Sequence, residues 1–94
     1  MKRMELIANH SVKDEILGSL ESEIRDFYYT LVPTVHGRGK SAYRLGTATW
    51  PEENFMIISY LDGHDALAAE AVVGEVKHRF PGEGIRLFFM DAGG

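Results

Sequence analysis

The chain has 94 residues, no cysteine, and a formal net charge of −4 from 14 acidic and 10 basic residues. This length fits one domain with one hydrophobic core, and the absence of cysteine excludes disulfides, thiolate metal sites and cysteine nucleophiles. The acidic balance disfavours non-specific nucleic-acid binding, which depends on neutralising phosphates. Because no apolar run is long enough to span a bilayer and no signal-peptide core is present, we expect a cytoplasmic protein.

The charge is distributed unevenly along the chain. Residues 36–46 contain Arg38, Lys40 and Arg44, whereas all 14 acidic residues lie elsewhere. A basic segment on an acidic body is a candidate site for a small anion.

The first third of the chain predicts a strand, a helix and a second strand. Alternating apolar residues over 4–9 predict the strand. Ser11 precedes two acidic residues in the manner of a helix N-cap, and apolar residues recur at helical spacing over 12–25. Residues 27–35 are aromatic and β-branched, which predicts the second strand, and Pro33 indicates a sheet edge or a bulge.

The remainder predicts a strand, a helix and a last strand. Asn54–Leu61 is the third strand, and a break at residues 62–63 precedes a helix over 64–79. Residues 81–84 form a Pro-Gly-Glu-Gly turn before a fourth strand over 85–90. The residues expected to form the buried stripe of the second helix are Leu67, Ala71, Val72 and Val76.

This order, βαββαβ, is the split βαβ pattern of the ferredoxin-like fold. It predicts an α+β sandwich, in which a four-stranded antiparallel sheet has both helices on one face. The opposite face is also apolar, whereas a solvated sheet face alternates towards polar residues. Such a patch usually marks a protein interface, so we expect a homo-oligomer, with a monomer as the alternative. The alternation does not say which set of residues faces away from the helices. One set contains Tyr28, Val32, Met56, Ile58, Tyr60, Phe88 and Met90, and the other contains Phe27, Tyr29, Leu31, Val35, Phe55, Ile57, Leu61, Ile85, Leu87 and Phe89.

Segment 36–53 is an 18-residue connection between the second and third strands. Connections beyond about 12–15 residues without regular structure are usually functional or disordered. Gly37 and Gly39 allow the backbone to approach a ligand closely. Three cations, on Arg38, Lys40 and Arg44, offer charge-assisted hydrogen bonds to phosphate or carboxylate. The alternative is a solvated basic loop.

Two motifs resemble the PII nitrogen-regulatory signal proteins. Val-His-Gly-Arg-Gly-Lys at 35–40, followed by Tyr-Arg-Leu-Gly at 43–46, is similar to the start of their T-loop, which also follows the second strand of a βαββαβ domain. Gly-Glu-Gly at 82–84, followed by a strand, is similar to their glycine–acid–glycine turn. In element order the resemblance covers nearly all of 1–94, which we interpret as one PII-like domain.

The resemblance implies a trimer whose sheets pack around the axis and whose clefts bind adenine nucleotides (ATP, ADP or AMP). It implies a regulatory protein, not an enzyme, that signals to a partner protein through segment 36–53. It does not extend to 2-oxoglutarate sensing, because the T-loop glutamine has no counterpart near residues 39–41. The implied T-loop base is Gly37, Arg38, Gly39 and Lys40, and the implied phosphate-lining residues are Gly82, Glu83, Gly84 and Arg86.

Other functions have weaker support in the sequence. None of the four histidines, His10, His36, His64 and His78, forms a close ligand pair, so we assign no metal site. CutA-type divalent-cation-binding trimers share the architecture and remain the main alternative, followed by a structural interaction module without a ligand. We assign no catalytic residue, since Ser41 has no evident base partner. The third strand lacks the basic-glycine-aromatic signature of RNA-recognition motifs, and the acidic balance also argues against RNA binding.

Overall fold

A computed structural model describes residues 1–37 and 53–93 of the chain. The elements, in chain order, are β1 (Lys2–Asn9), a 3-10 turn (His10–Val12), α1 (Lys13–Glu23), β2 (Thr30–Val35), β3 (Asn54–Leu61), α2 (Gly63–Arg79) and β4 (Ile85–Asp91). The four predicted strands and two predicted helices are therefore present in the predicted order.

The four strands form one antiparallel sheet in the order β2-β3-β1-β4. At the centre of the sheet, Leu6 of β1 lies opposite Ile57 of β3 and Leu87 of β4. This strand order, with one helix after β1 and one after β3, is the ferredoxin-like α+β fold, and the prediction of that fold is confirmed.

Both helices cover the same face of the sheet. Alternate residues of β1 and β3 point into this layer, where Ile16 and Leu20 of α1 and Val73 and Val76 of α2 are buried against them. Hydrophobic burial of this continuous cluster is the main favourable contribution to folding. Its sheet residues are Met4, Leu6, Ala8, Phe55, Ile57, Leu61 and Ile85.

β2 is an edge strand, as Pro33 indicated, and its register to β3 shifts between Val32 and Val35. The strand is shorter than predicted, because residues 27–29 leave the ladder. There the Tyr28 carbonyl accepts a 2.7 Å hydrogen bond from the buried Ser59 hydroxyl. Just before β2 begins, a side-chain hydroxyl thus donates the hydrogen bond that a backbone N–H of a neighbouring strand would otherwise supply.

The predicted N-cap of the first helix was wrong. Ser11 does not cap the helix; its backbone N–H donates to the Asn9 side chain at 2.9 Å and belongs to the 3-10 turn. Asn9 is therefore the capping residue, and Val12 at the start of α1 makes no side-chain cap. The sequence pattern predicted a cap in the correct region, but the capping side chain is that of Asn9, two residues before the predicted Ser11.

The predicted buried stripe of the second helix was also largely wrong. α2 buries Ala66, Ala69, Val73 and Val76, so only Val76 of the predicted stripe is buried. Leu67 is 69% exposed. Alanine and valine occur on several sides of this helix, so its apolar pattern does not define a unique buried face.

We predict that Asn9→Ala lowers the free energy of unfolding by about 1 kcal/mol, because it removes the side-chain acceptor of the cap. Urea denaturation of the purified chain measures this change. Ser11→Ala is the matched control, since only the backbone N–H of Ser11 is used, and its effect is expected to stay within about 0.5 kcal/mol. A larger loss in Ser11→Ala than in Asn9→Ala would contradict this capping arrangement.

We predict that Gly74→Ala raises the free energy of unfolding by about 1 kcal/mol, the difference in helix propensity between the two residues. Gly74 is exposed within α2, and a Cβ added there meets no atom within 4 Å. Thermal unfolding is expected to shift upwards by about 4–8 °C. The reverse change, Ala71→Gly at an exposed position of the same helix, is expected to lower stability similarly.

Candidate functional site

One end of the sheet collects the two glycine-containing segments that the sequence singled out. The backbone N–H of Asn9, at the end of β1, donates to the Gly84 carbonyl at 3.0 Å. The next N–H, of His10, donates to the carbonyl of Glu53, where segment 36–53 returns to β3, also at 3.0 Å. Since Val35 of β2 pairs with Asn54 of β3, both stems of the long connection lie at this end. We call this end the loop-base end.

The glycine turn is a tight turn between α2 and β4. Its Glu83 N–H donates to the Phe80 carbonyl at 3.1 Å. A Cβ added at Gly37, Gly82 or Gly84 would meet no atom of residues 1–37 and 53–93 within 4 Å. Packing among those residues does not require glycine there, whereas a ligand approaching the backbone closely would.

Only part of the predicted ligand set can be placed. Gly37, Gly82, Glu83 and Gly84 lie at the loop-base end, so the structure brings the two predicted segments together. Arg86 is exposed and opposite Ile7, on the sheet face that the helices leave uncovered. The other members of the set, Arg38, Gly39, Lys40 and Arg44, lie outside the described residues.

His10 has a structural role that the sequence did not indicate. Its ring Nε2 donates to the Pro33 carbonyl at 2.6 Å, and the ring packs edge-on against Phe55 with centroids 6.1 Å apart. These contacts join the end of β1 to the edge strand β2. An asparagine and a histidine where the apolar alternation of β1 stops were the available signal for this junction.

The histidines do not gather into one site. His64 follows the opposite end of β3, near the start of α2, whereas His10 lies at the loop-base end. Within residues 1–37 and 53–93, no three histidine, aspartate or glutamate side chains are grouped to hold a metal ion. In the same ranges, neither helix has the length and apolar composition needed to cross a bilayer.

The second candidate surface is the sheet face opposite the helices, which we call the open face. Phe88 is 47% exposed, Met90 41% and Tyr60 53%, although all three lie on regular strands. Register and alternation place the following apolar residues on this face: Ile7, Val32, Met56, Ile58, Tyr60, Phe88 and Met90. The sequence-based expectation of an apolar second face is therefore correct.

Arg3 and Glu5, two charged residues on the open face, form an ion pair within the chain. The Arg3 guanidinium donates to Glu5 at 2.9 Å and to the Tyr60 hydroxyl at 2.5 Å, and it lies 5.6 Å from the Tyr60 ring centroid. The bond to Glu5, and next the bond to Tyr60, raise the pKa of Arg3 above its usual value. The pairing reduces the cost of covering these charges.

Comparison with known proteins finds similarity to the fold of this chain. No protein-family model matches the sequence, and no curated protein matches it. Solved structures do match in fold, and PII-like signalling proteins are among them.

Three structures illustrate the match. The PII-like signaling protein TTHA0516 from Thermus thermophilus superposes with a TM-score of 0.62 at 14% identity, covering 95% of this chain and 83% of that one. CPII from Thiomonas intermedia K12, bound to ADP and bicarbonate, gives 0.62 at 16%, covering 99% and 88%. A DUF3240 family protein from Shewanella baltica OS155 gives 0.65 at 17%, covering 97% and 88%. Identities this low establish a shared fold alone, and at that level the resemblance to PII proteins is confirmed.

Proposed function

We propose that the chain is a PII-like regulatory protein that assembles into a trimer and binds an adenine nucleotide in clefts beside the loop-base end. The observation that carries the proposal is the pair of hydrogen bonds from Asn9 and His10, which hold the glycine turn and the return of segment 36–53 together. This is the arrangement that the resemblance to PII proteins implies. We further propose that 1–94 acts as one domain in the cytoplasm and is not an enzyme.

The open face supports the assembly. Burying apolar surface contributes about 25 cal/mol per Å², so several half-exposed aromatic and aliphatic side chains would together stabilise an interface by several kcal/mol. A trimer around an axis through the open faces covers this surface in every subunit. Because such an assembly is closed, no subunit is left with an uncovered interface.

Charge supports an anionic ligand. The glycine turn itself contributes an acid, Glu83, so the attraction for phosphate must come from the basic residues of segment 36–53. Arg38, Lys40 and Arg44 are the proposed phosphate or bicarbonate ligands, with Arg86 added from the start of β4. Thiomonas CPII, which shares the fold, has been solved with ADP, AMP and bicarbonate bound.

Signalling would follow from the position of the ligand. Gly37, Gly39 and the glycine turn approach the nucleotide, so binding would favour one conformation of segment 36–53 over others. A ligand shifts such an equilibrium only by its difference in affinity for the two states. A partner protein would then recognise the favoured conformation.

We predict that the wild-type chain has three times the mass of one subunit at micromolar concentration, measured by light scattering after size exclusion. Ile58→Lys, at the centre of the open face, is expected to give single subunits, because a charge there opposes burial. Phe88→Glu is a second test at a half-exposed position, where folding is less at risk.

The matched control is Leu67→Lys, which places the same charge on an exposed apolar residue of the helix layer. This variant is expected to keep the wild-type mass. A folded wild-type chain that scatters as a single subunit would overturn the trimer, and with it the clefts between subunits.

We predict that isothermal titration detects binding of ATP, ADP or AMP to the wild-type chain. Arg38→Ala with Lys40→Ala is expected to weaken binding at least about a hundredfold, since each charged hydrogen bond contributes about 1.5–3 kcal/mol. Arg25→Ala with Lys77→Ala is the control, because it removes one arginine and one lysine at exposed positions elsewhere. Equal losses in the two double variants would reject the assigned ligands.

The cation-binding alternative is tested in the same series. Thermal stabilisation by zinc or copper, without any response to nucleotides, would favour a CutA-like function. Loss of that stabilisation in His36→Ala would place the cation at the loop-base end. A response to neither class of ligand would favour a structural interaction module.

A further inference from the structure

A groove of about 700 Å³ runs between α1 and α2 on the outer side of the helix layer. The two helices are antiparallel neighbours, since Arg79 near the end of α2 contacts Glu15 near the start of α1. The groove is separated from the open face by the full thickness of the sheet and the helix layer. It is therefore independent of the trimer and nucleotide proposals.

The floor of the groove is made of small residues and is apolar on the α2 side. Ala68, Ala71 and Val72 of α2 form that side, and Gly18, Ser19 and Ser22 of α1 form the other. Leu67, one helical turn before Ala71, is 69% exposed. Two residues of the stripe predicted for the sheet side of α2, Ala71 and Val72, thus line this groove instead.

Gly18 keeps the groove wide. A glycine inside a helix costs about 1 kcal/mol relative to alanine, and a Cβ added at Gly18 meets no atom within 4 Å. Packing in the described part of the chain therefore gives no reason for this glycine. A backbone that must approach a second helix closely does give one.

The rim of the groove is acidic. Among the described residues that line it, the charged ones are Asp14, Glu15, Glu23 and Glu75, and all are negative. Arg79 lies at one end, where its guanidinium is 3.4 Å from a Glu15 oxygen and 3.3 Å from a Glu75 oxygen. The rim is complementary to a ligand that carries several positive charges beside an apolar stripe.

We propose that this groove binds a cationic amphipathic α-helix of a partner protein. From Asp14 to Glu23, α1 presents a track of about 14 Å, which accommodates between two and three turns of a bound helix. Apolar side chains at positions i, i+3 or i+4, and i+7 of the partner pack on the alanine floor. Its lysine or arginine residues reach the Asp14 and Glu23 carboxylates on the α1 rim. The Glu15 and Glu75 carboxylates are instead bound by Arg79.

The test uses a fluorescein-labelled 14-residue helical peptide of leucine, alanine and lysine, with leucine at helical spacing. The reference peptide has glutamate in place of every lysine. Fluorescence anisotropy is expected to detect binding of the lysine peptide alone, and circular dichroism is expected to show helix formation on binding. Ala71→Trp, which fills the groove at an exposed position, is expected to weaken binding about tenfold or more.

A matched pair of charge variants separates groove binding from attraction to an acidic protein. Glu23→Gln and Glu70→Gln change the net charge equally, but Glu23 lines the groove and Glu70 is exposed elsewhere on α2. We expect Glu23→Gln to weaken peptide binding about two- to fivefold, the range for one exposed charge pair. We expect Glu70→Gln to leave the affinity unchanged.

Three results would overturn the proposal. The first is equal affinity of the lysine peptide for wild type and Ala71→Trp, and the second is equal binding of both peptides. The third is association of the chain beyond its resting oligomer that Ala71→Trp abolishes, which would show that a second copy occupies the groove. Circular dichroism of each variant confirms that its fold is retained.

Discussion

β1 lies at the centre of a sheet that has helices on only one side. Its residues Met4, Leu6 and Ala8 are buried under α1 and α2, whereas Ile7 between them faces away from the helices. An antiparallel sheet can leave one face to water when that face is polar. Here it is mostly apolar, so the chain acquires its core from one face and a candidate interface from the other.

The same central strand organises the loop-base end. Because all neighbouring strands are antiparallel, the end of β1 meets the start of β3 and the start of β4. The backbone N–H groups of Asn9 and His10 lie where β1 ends. They donate hydrogen bonds to the glycine turn and to the stem of segment 36–53. The candidate site thus lies where backbone N–H groups at the end of β1 donate to carbonyls of the segments that lead into β3 and β4.

The sequence predicted the elements best where a short apolar run has clear boundaries. β3 begins and ends as predicted, since its apolar run is bounded by the Asp-Gly turn at 62–63. The helix faces were harder, because the alanines and valines of α2 suit several orientations and only the partner surface selects one. The cap at Asn9 depended on where the 3-10 turn begins, which local propensity does not specify.

The sequence identified the two segments that form the candidate site, but it did not show that they lie together in the fold. Two glycine motifs some 45 residues apart were recognisable in the sequence, whereas their meeting depends on the strand order. The fold alone does not select a ligand, so charge must do so. Cations are concentrated in residues 36–46, and carboxylates line the groove between the helices. The basic segment and the acidic groove thus favour ligands of opposite charge, and the two proposed ligands are a phosphate and a cationic helix.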